Sequence, residues 1–108
     1  MSTEVMSTET IGEKLRQLRE QNEIPLRKVA ALIDIDVAIL SKMERGERKL
    51  TKAVVLKLAD IYKYSADKLL VSFLSDKIMY EILNEDLGEK ALKVAEKRVK
   101  YLKAIRNK

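Results

Sequence analysis

An all-α fold is predicted by three features of this chain. Apolar residues recur three and four positions apart in successive blocks. Most blocks open on a residue able to cap a helix, such as Thr10, Asp36, Thr51 or Ser65. Only one Pro and three Gly interrupt a chain that is 46% apolar and 36% charged, the profile of compact helices rather than of a disordered or β-rich protein. With 108 residues there is room for one small domain, a short appendage and one modest core.

The first helix opens at Thr10, with Glu13 three residues on as its capping-box partner, and carries Ile11, Leu15 and Leu18 to about Gln21. Pro25 sits where a first helical turn tolerates a missing N–H, and Leu26, Val29, Ala30 and Ile33 mark a short second helix to about Leu32. Asp34 is a turn residue able to enter the left-handed region, and Asp36 can cap a third helix whose inward positions are Ile39 or Leu40, and Met43. Gly46 stops that helix, because glycine takes a positive φ without strain.

Thr51 caps a fourth helix carrying Val54, Val55, Leu58, Ala59, Ile61 and Tyr62 to about Lys63. Ser65 caps a fifth, with Asp67 in its first turn, which runs on through Leu69, Leu70, Phe73, Leu74, Ile78, Met79, Ile82 and Leu83. Gly88 punctuates the chain before a sixth helical stretch over residues 89–106, with Ala91, Ala95, Val99, Leu102 and Ile105 along a narrow seam. That seam can fold back on the fifth helix to finish the core, or pair with a second copy in a coiled-coil-like contact.

Composition also removes whole classes of chemistry. There is no Cys and no His, so disulfides, thiolate nucleophiles, imidazole bases and the commonest zinc ligands are absent together, and no enzyme activity, metal or cofactor is expected; nor is a small-molecule ligand, since no sensor domain is evident beyond residue 70. Residues 1–9, MSTEVMSTE, are polar and acidic without a signal-peptide core, and no run of about 18 apolar residues occurs, so a cytoplasmic protein with no membrane partner is expected. The MSTE repeat would also fit an alternative start at Met6, and residues 1–9 are expected to be a flexible terminus.

The net charge of +5 is unevenly spread. Residues 25–50 hold six basic against four acidic side chains, residues 69–88 one against four, and residues 89–108 eight against two. Basic zones flanking an acidic one point toward a phosphate-bearing partner, although a charged helix face can also be merely solvated.

One stretch carries more. LSKMERGERKLT at residues 40–51 ends a helix on glycine and surrounds the stop with Arg45, Arg48, Lys49 and, just beyond, Lys52. Together with LRQLRE at 15–20, VAALIDI at 29–35, LAD at 58–60 and DKLL at 67–70, it makes residues 11–70 resemble the phage repressor and Cro-like (XRE) family of regulators. The resemblance implies a five-helix, lambda-repressor-like helix-turn-helix domain over residues 10–70. Residues 71–108 then form a helical extension, comprising an extended helix 5 and an additional C-terminal helix, that serves dimerisation and completes the core.

On this resemblance the protein is a bacterial or phage transcription regulator whose partner is double-stranded DNA. Its third helix enters the major groove, where Val37, Ala38, Ser41 and Lys42 read bases and Ile39 lies at the edge. Val37 and Ala38 suit thymine methyl groups, whereas Lys42 can donate to guanine and Ser41 to several base edges. Arg27, Arg45, Arg48, Lys49, Thr51 and Lys52 are the implied phosphate contacts. Glu44 pairs with Arg19 as a structural tether, and the guanidinium has a further edge that could face a phosphate. The chain departs from the family at Pro25 and Leu26, where a small polar cap and Gln are usual, and at Asp34, where glycine is usual. Asp36 adds a further negative charge near the DNA.

A homodimer on a palindromic operator is expected, because one small domain offers few base contacts. Its interface is assigned to Leu70, Phe73, Leu74, Ile78, Ile82, Val99 and Leu102, since helices 5 and 6 offer more apolar positions than the domain needs. The alternative is an antitoxin-like or anti-regulator interaction module using Val37, Ala38, Ile39 and Leu26 as a protein-binding face.

Overall fold

A computed structural model of the chain describes residues 9–107. The flexible terminus and the MSTE repeat, Glu9 apart, lie outside the described residues. The fold is all-α, in the order α1 (Ile11–Gln21), α2 (Leu26–Leu32), α3 (Val37–Glu44), α4 (Lys52–Ile61), α5 (Ala66–Ile82) and α6 (Gly88–Arg106). It divides into two compact units between Asp76 and Lys77, inside α5.

In the first unit the helices start where the sequence places caps. Thr10 and Glu13 form the reciprocal capping box, with the Glu13 N–H donating to Thr10 Oγ1 at 3.1 Å and the Thr10 N–H to Glu13 Oε1 at 2.9 Å. Asp36 accepts from the Ala38 N–H, Thr51 from Val54 and Ser65 from Lys68. Pro25 takes the N-cap of α2 itself, in extended geometry and with no side-chain cap. The apolar faces so initiated close on one core, in which Leu15, Val29, Leu40, Val55, Leu58 and Leu69 are fully buried. Each such side chain contributes about 1.5–3 kcal/mol relative to exposure.

The helix ends explain which way the loops face. α1, α2, α3 and α4 all finish in a Schellman turn, with Glu23, Asp34, Gly46 and Lys63 at positive φ. The next N–H then reaches back five residues: Ile24 to the Arg19 carbonyl, Ile35 to Ala30, Glu47 to Lys42 and Tyr64 to Ala59, at 2.8 to 3.1 Å. Ile24, Ile35 and Tyr64 pack on the core, which offsets the roughly 1–2 kcal/mol that a non-glycine residue costs in the left-handed region. α3 differs on both counts: its turn residue is glycine, and the residue after it is the exposed Glu47. That end is turned to solvent. α4 stops two residues earlier than the sequence suggests, because Lys63 has already left helical geometry.

Two contacts between distant residues fix α1. Asp76 Oδ2 on α5 accepts from the Ile11 N–H at 2.9 Å, satisfying a donor that the first turn leaves open. Gly12 lies so close to the end of α3 that an added Cβ would sit 2.6 Å from the Glu44 carbonyl oxygen and 2.7 Å from that of Met43. α3 packs against both α1 and α2.

Phe73, expected at a pairing surface, belongs to the core at 5% exposure, and Leu70 is packed against that core. Both lie on the inward face of α5 with Leu69. In the second unit Gly88 opens α6 and is its one buried residue, while every side chain from Glu89 to Asn107 is exposed.

Candidate nucleic-acid interface

α3 is held from behind and open in front. Leu40, Met43 and Glu44 point inward, Ile39 and Ser41 are half-buried, and Val37, Ala38 and Lys42 are exposed. All four expected base-reading positions therefore retain some access to solvent on one short helix. Of the four residues offered for an apolar protein-binding face, Val37 and Ala38 are open, whereas Leu26 and Ile39 are half-buried, with Leu26 packed on the core.

The tether is Arg19 on Glu44. Arg19 Nε donates to Glu44 Oε2 at 2.8 Å and Nη2 to Oε1 at 3.1 Å, a bidentate fork between side chains only 13% and 5% exposed. Nη1 donates to the Ile24 carbonyl at 3.2 Å, so the guanidinium edge offered for a phosphate is bonded to the chain's own backbone. The hydrogen bond to Glu44 raises the Arg19 pKa above its ordinary value despite partial desolvation. Tyr62, buried nearby, has its phenol pKa pushed up, first by burial and then by the negative charge of Glu44, with Arg19 opposing. The sequence carries no local signal for this third member.

The N-terminus of α3 is conditioned by Asp36. Its Oδ1 accepts from the Ala38 N–H at 2.7 Å, so this carboxylate is engaged by the helix it starts and complements the positive end of the dipole. Asp34 takes the turn at φ 57 in place of a glycine.

Beyond α3, Gly46 at φ 79 swings the chain out, and Arg48, Lys49, Thr51 and Lys52 follow, all exposed. Thr51 Oγ1 uses one lone pair to cap α4 and keeps its O–H to donate outward. Arg27 is exposed on the first turn of α2. Among the described residues none of Arg27, Lys42, Arg48, Lys49 and Lys52 forms an ion pair.

Arg45 behaves differently from the other cations. Its Nε and Nη2 donate to Glu47 at 2.9 and 3.2 Å, and its Nη1 donates to Ser41 Oγ. The pairing raises the Arg45 pKa and lowers that of Glu47, in both cases chiefly through the hydrogen bond they share. Both side chains are about half exposed.

α3 is thus tethered by a buried ion pair, open on its outer face and followed by a loop in which Arg48, Lys49 and Lys52 form no ion pair among the described residues. The helix-turn-helix family model matches residues 15–69, and the chain belongs to that family. Domains of this type are non-catalytic and typical of XRE-family transcription regulators, so the role of the chain is DNA-binding regulation. No curated protein and no solved structure matches the chain. No helix among the described residues is long and apolar enough to cross a membrane.

Proposed function

We propose that the protein is a Cro- or repressor-like, sequence-specific regulator that binds a palindromic operator as a homodimer, with α3 in the major groove of each half-site. The observation that carries this reading is the Arg19 to Glu44 fork, which fixes α3 against α1 while leaving Val37, Ala38 and Lys42 outward. Val37 and Ala38 contact thymine methyl groups, Lys42 donates to guanine O6 or N7, and Ser41 donates its hydroxyl proton to an acceptor edge. Arg27, Arg48, Lys49, Thr51 and Lys52 set the register on the phosphates.

Pairing is supported by the two apolar faces of α5. Leu69 and Phe73 are buried, whereas Val71, Leu74 and Ile78, spaced i, i+3 and i+7, are 68%, 54% and 49% exposed. Val99 and Leu102 of α6 are also exposed. On a palindromic operator the paired copies would place their α3 helices on half-sites about 34–36 Å apart. Selecting bound sites from a random duplex pool tests the whole reading. A two-fold symmetric consensus with T-rich contacts and a G in each half is the expected result; an unstructured pool, or a single unpaired half-site, would contradict it.

A further inference from the structure

Arg45 is the cation nearest the end of α3, yet its fork is already filled. Residues two apart on a helix do not face one another. Here the left-handed turn at Gly46 folds the chain back, the Glu47 N–H bonds to the Lys42 carbonyl at 2.8 Å, and the Glu47 carboxylate lies across Nε and Nη2 of Arg45. That is the bidentate geometry in which a guanidinium takes a phosphate. Nη1 is bonded to Ser41, so the side chain is held at both ends of its fork.

We infer that Glu47 is a built-in stand-in for a DNA phosphate, which holds Arg45 out of the phosphate contacts and so lowers sequence-independent affinity. The inference rests on the reading of the α3–α4 loop as a phosphate-contacting surface. Among the described residues Arg48, Lys49 and Lys52 carry no such partner, so within this loop the restraint is specific to Arg45. The Arg45 to Ser41 bond has a second effect: it occupies one lone pair of the Ser41 oxygen and leaves the hydroxyl proton to donate, favouring acceptor base edges. Glu47 thereby acts as a positioning residue for both.

The test is the salt dependence of binding to a random-sequence duplex for wild type, Glu47→Gln, Arg45→Ala and the double variant. Both side chains are exposed, so all four proteins should fold. Each phosphate neutralised adds about 0.9 to the slope of log K against log salt, roughly threefold in affinity between about 50 and 200 mM. Glu47→Gln should steepen the slope by about 0.9 and tighten binding at low salt, and adding Arg45→Ala should restore the wild-type slope. Arg45→Ala alone should leave the slope unchanged. A Glu47→Gln slope equal to wild type, or a loss of about 0.9 from Arg45→Ala alone, would overturn the assignment. Wild-type binding without salt dependence would overturn the phosphate-contacting loop itself, a result visible before any variant is compared.

Discussion

Replacing Arg19 by alanine removes both donors from Glu44, whose side chain is only 5% exposed and has little water to turn to. Breaking a buried pair from one side costs about 3–5 kcal/mol, and the depth of the carboxylate places Arg19→Ala toward the upper end. Glu44→Ala should cost less. The guanidinium it strands is more exposed, at 13%, and keeps its bond to the Ile24 carbonyl, so a loss of about 3 kcal/mol is expected. For a domain of this size each kcal/mol lowers the melting temperature by about 4–8 °C, so the two variants should melt at least about 12 °C below wild type. The double variant strands neither charge, and its loss should fall short of the sum by roughly 0.5–3 kcal/mol. Thermal melts of the four proteins, followed by far-ultraviolet circular dichroism, complete the cycle. Losses that add to within about 0.5 kcal/mol, or a larger loss from Glu44→Ala than from Arg19→Ala, would refute the tether and its asymmetry.

Gly12→Ala should destabilise the first unit by about 1–3 kcal/mol in urea melts, because its Cβ meets two backbone carbonyls that cannot turn aside. A neutral or stabilising effect would contradict the close approach of α1 to α3. Lys49→Ala or Arg48→Ala should weaken binding to every duplex about equally and flatten the salt slope by about 0.9. Lys42→Ala should instead relax preference at one base pair per half-site by about 1–3 kcal/mol, and an equal loss of selectivity from all three variants would refute the docking geometry.

What the sequence made legible was mainly local. Thr10, Asp36, Thr51 and Ser65 cap the helices they precede, because a cap is decided within three or four residues of chain. Gly46 and Asp34 were readable as left-handed turns for the same reason, whereas Glu23 and Lys63 were not, since their positive φ is held by the core contacts of Ile24 and Tyr64. Contacts between distant residues had no sequence signature: Asp76 on the Ile11 N–H and Gly12 against Glu44 depend on how the helices meet. The Arg19 to Glu44 pair was readable through the family resemblance rather than through spacing. The Arg45 to Glu47 pair was hidden because a separation of two is silent in a helix, and only the turn at Gly46 closes it. Phe73 reads from sequence as an interface residue because periodicity marks apolar positions on α5 without telling which of its two apolar faces meets the core.

On the proposed function, the outward face of α3 and the loop after it meet DNA. Backbone amide resonances of the full chain, titrated with a selected operator duplex, test it most directly. The largest shifts should fall on Val37, Ala38, Ser41 and Lys42, and on residues 46–52, with smaller ones on α1 at Gly12 and Arg19, where it meets α3. Shifts confined to α6, or an unmoved α3 at saturating duplex, would contradict it.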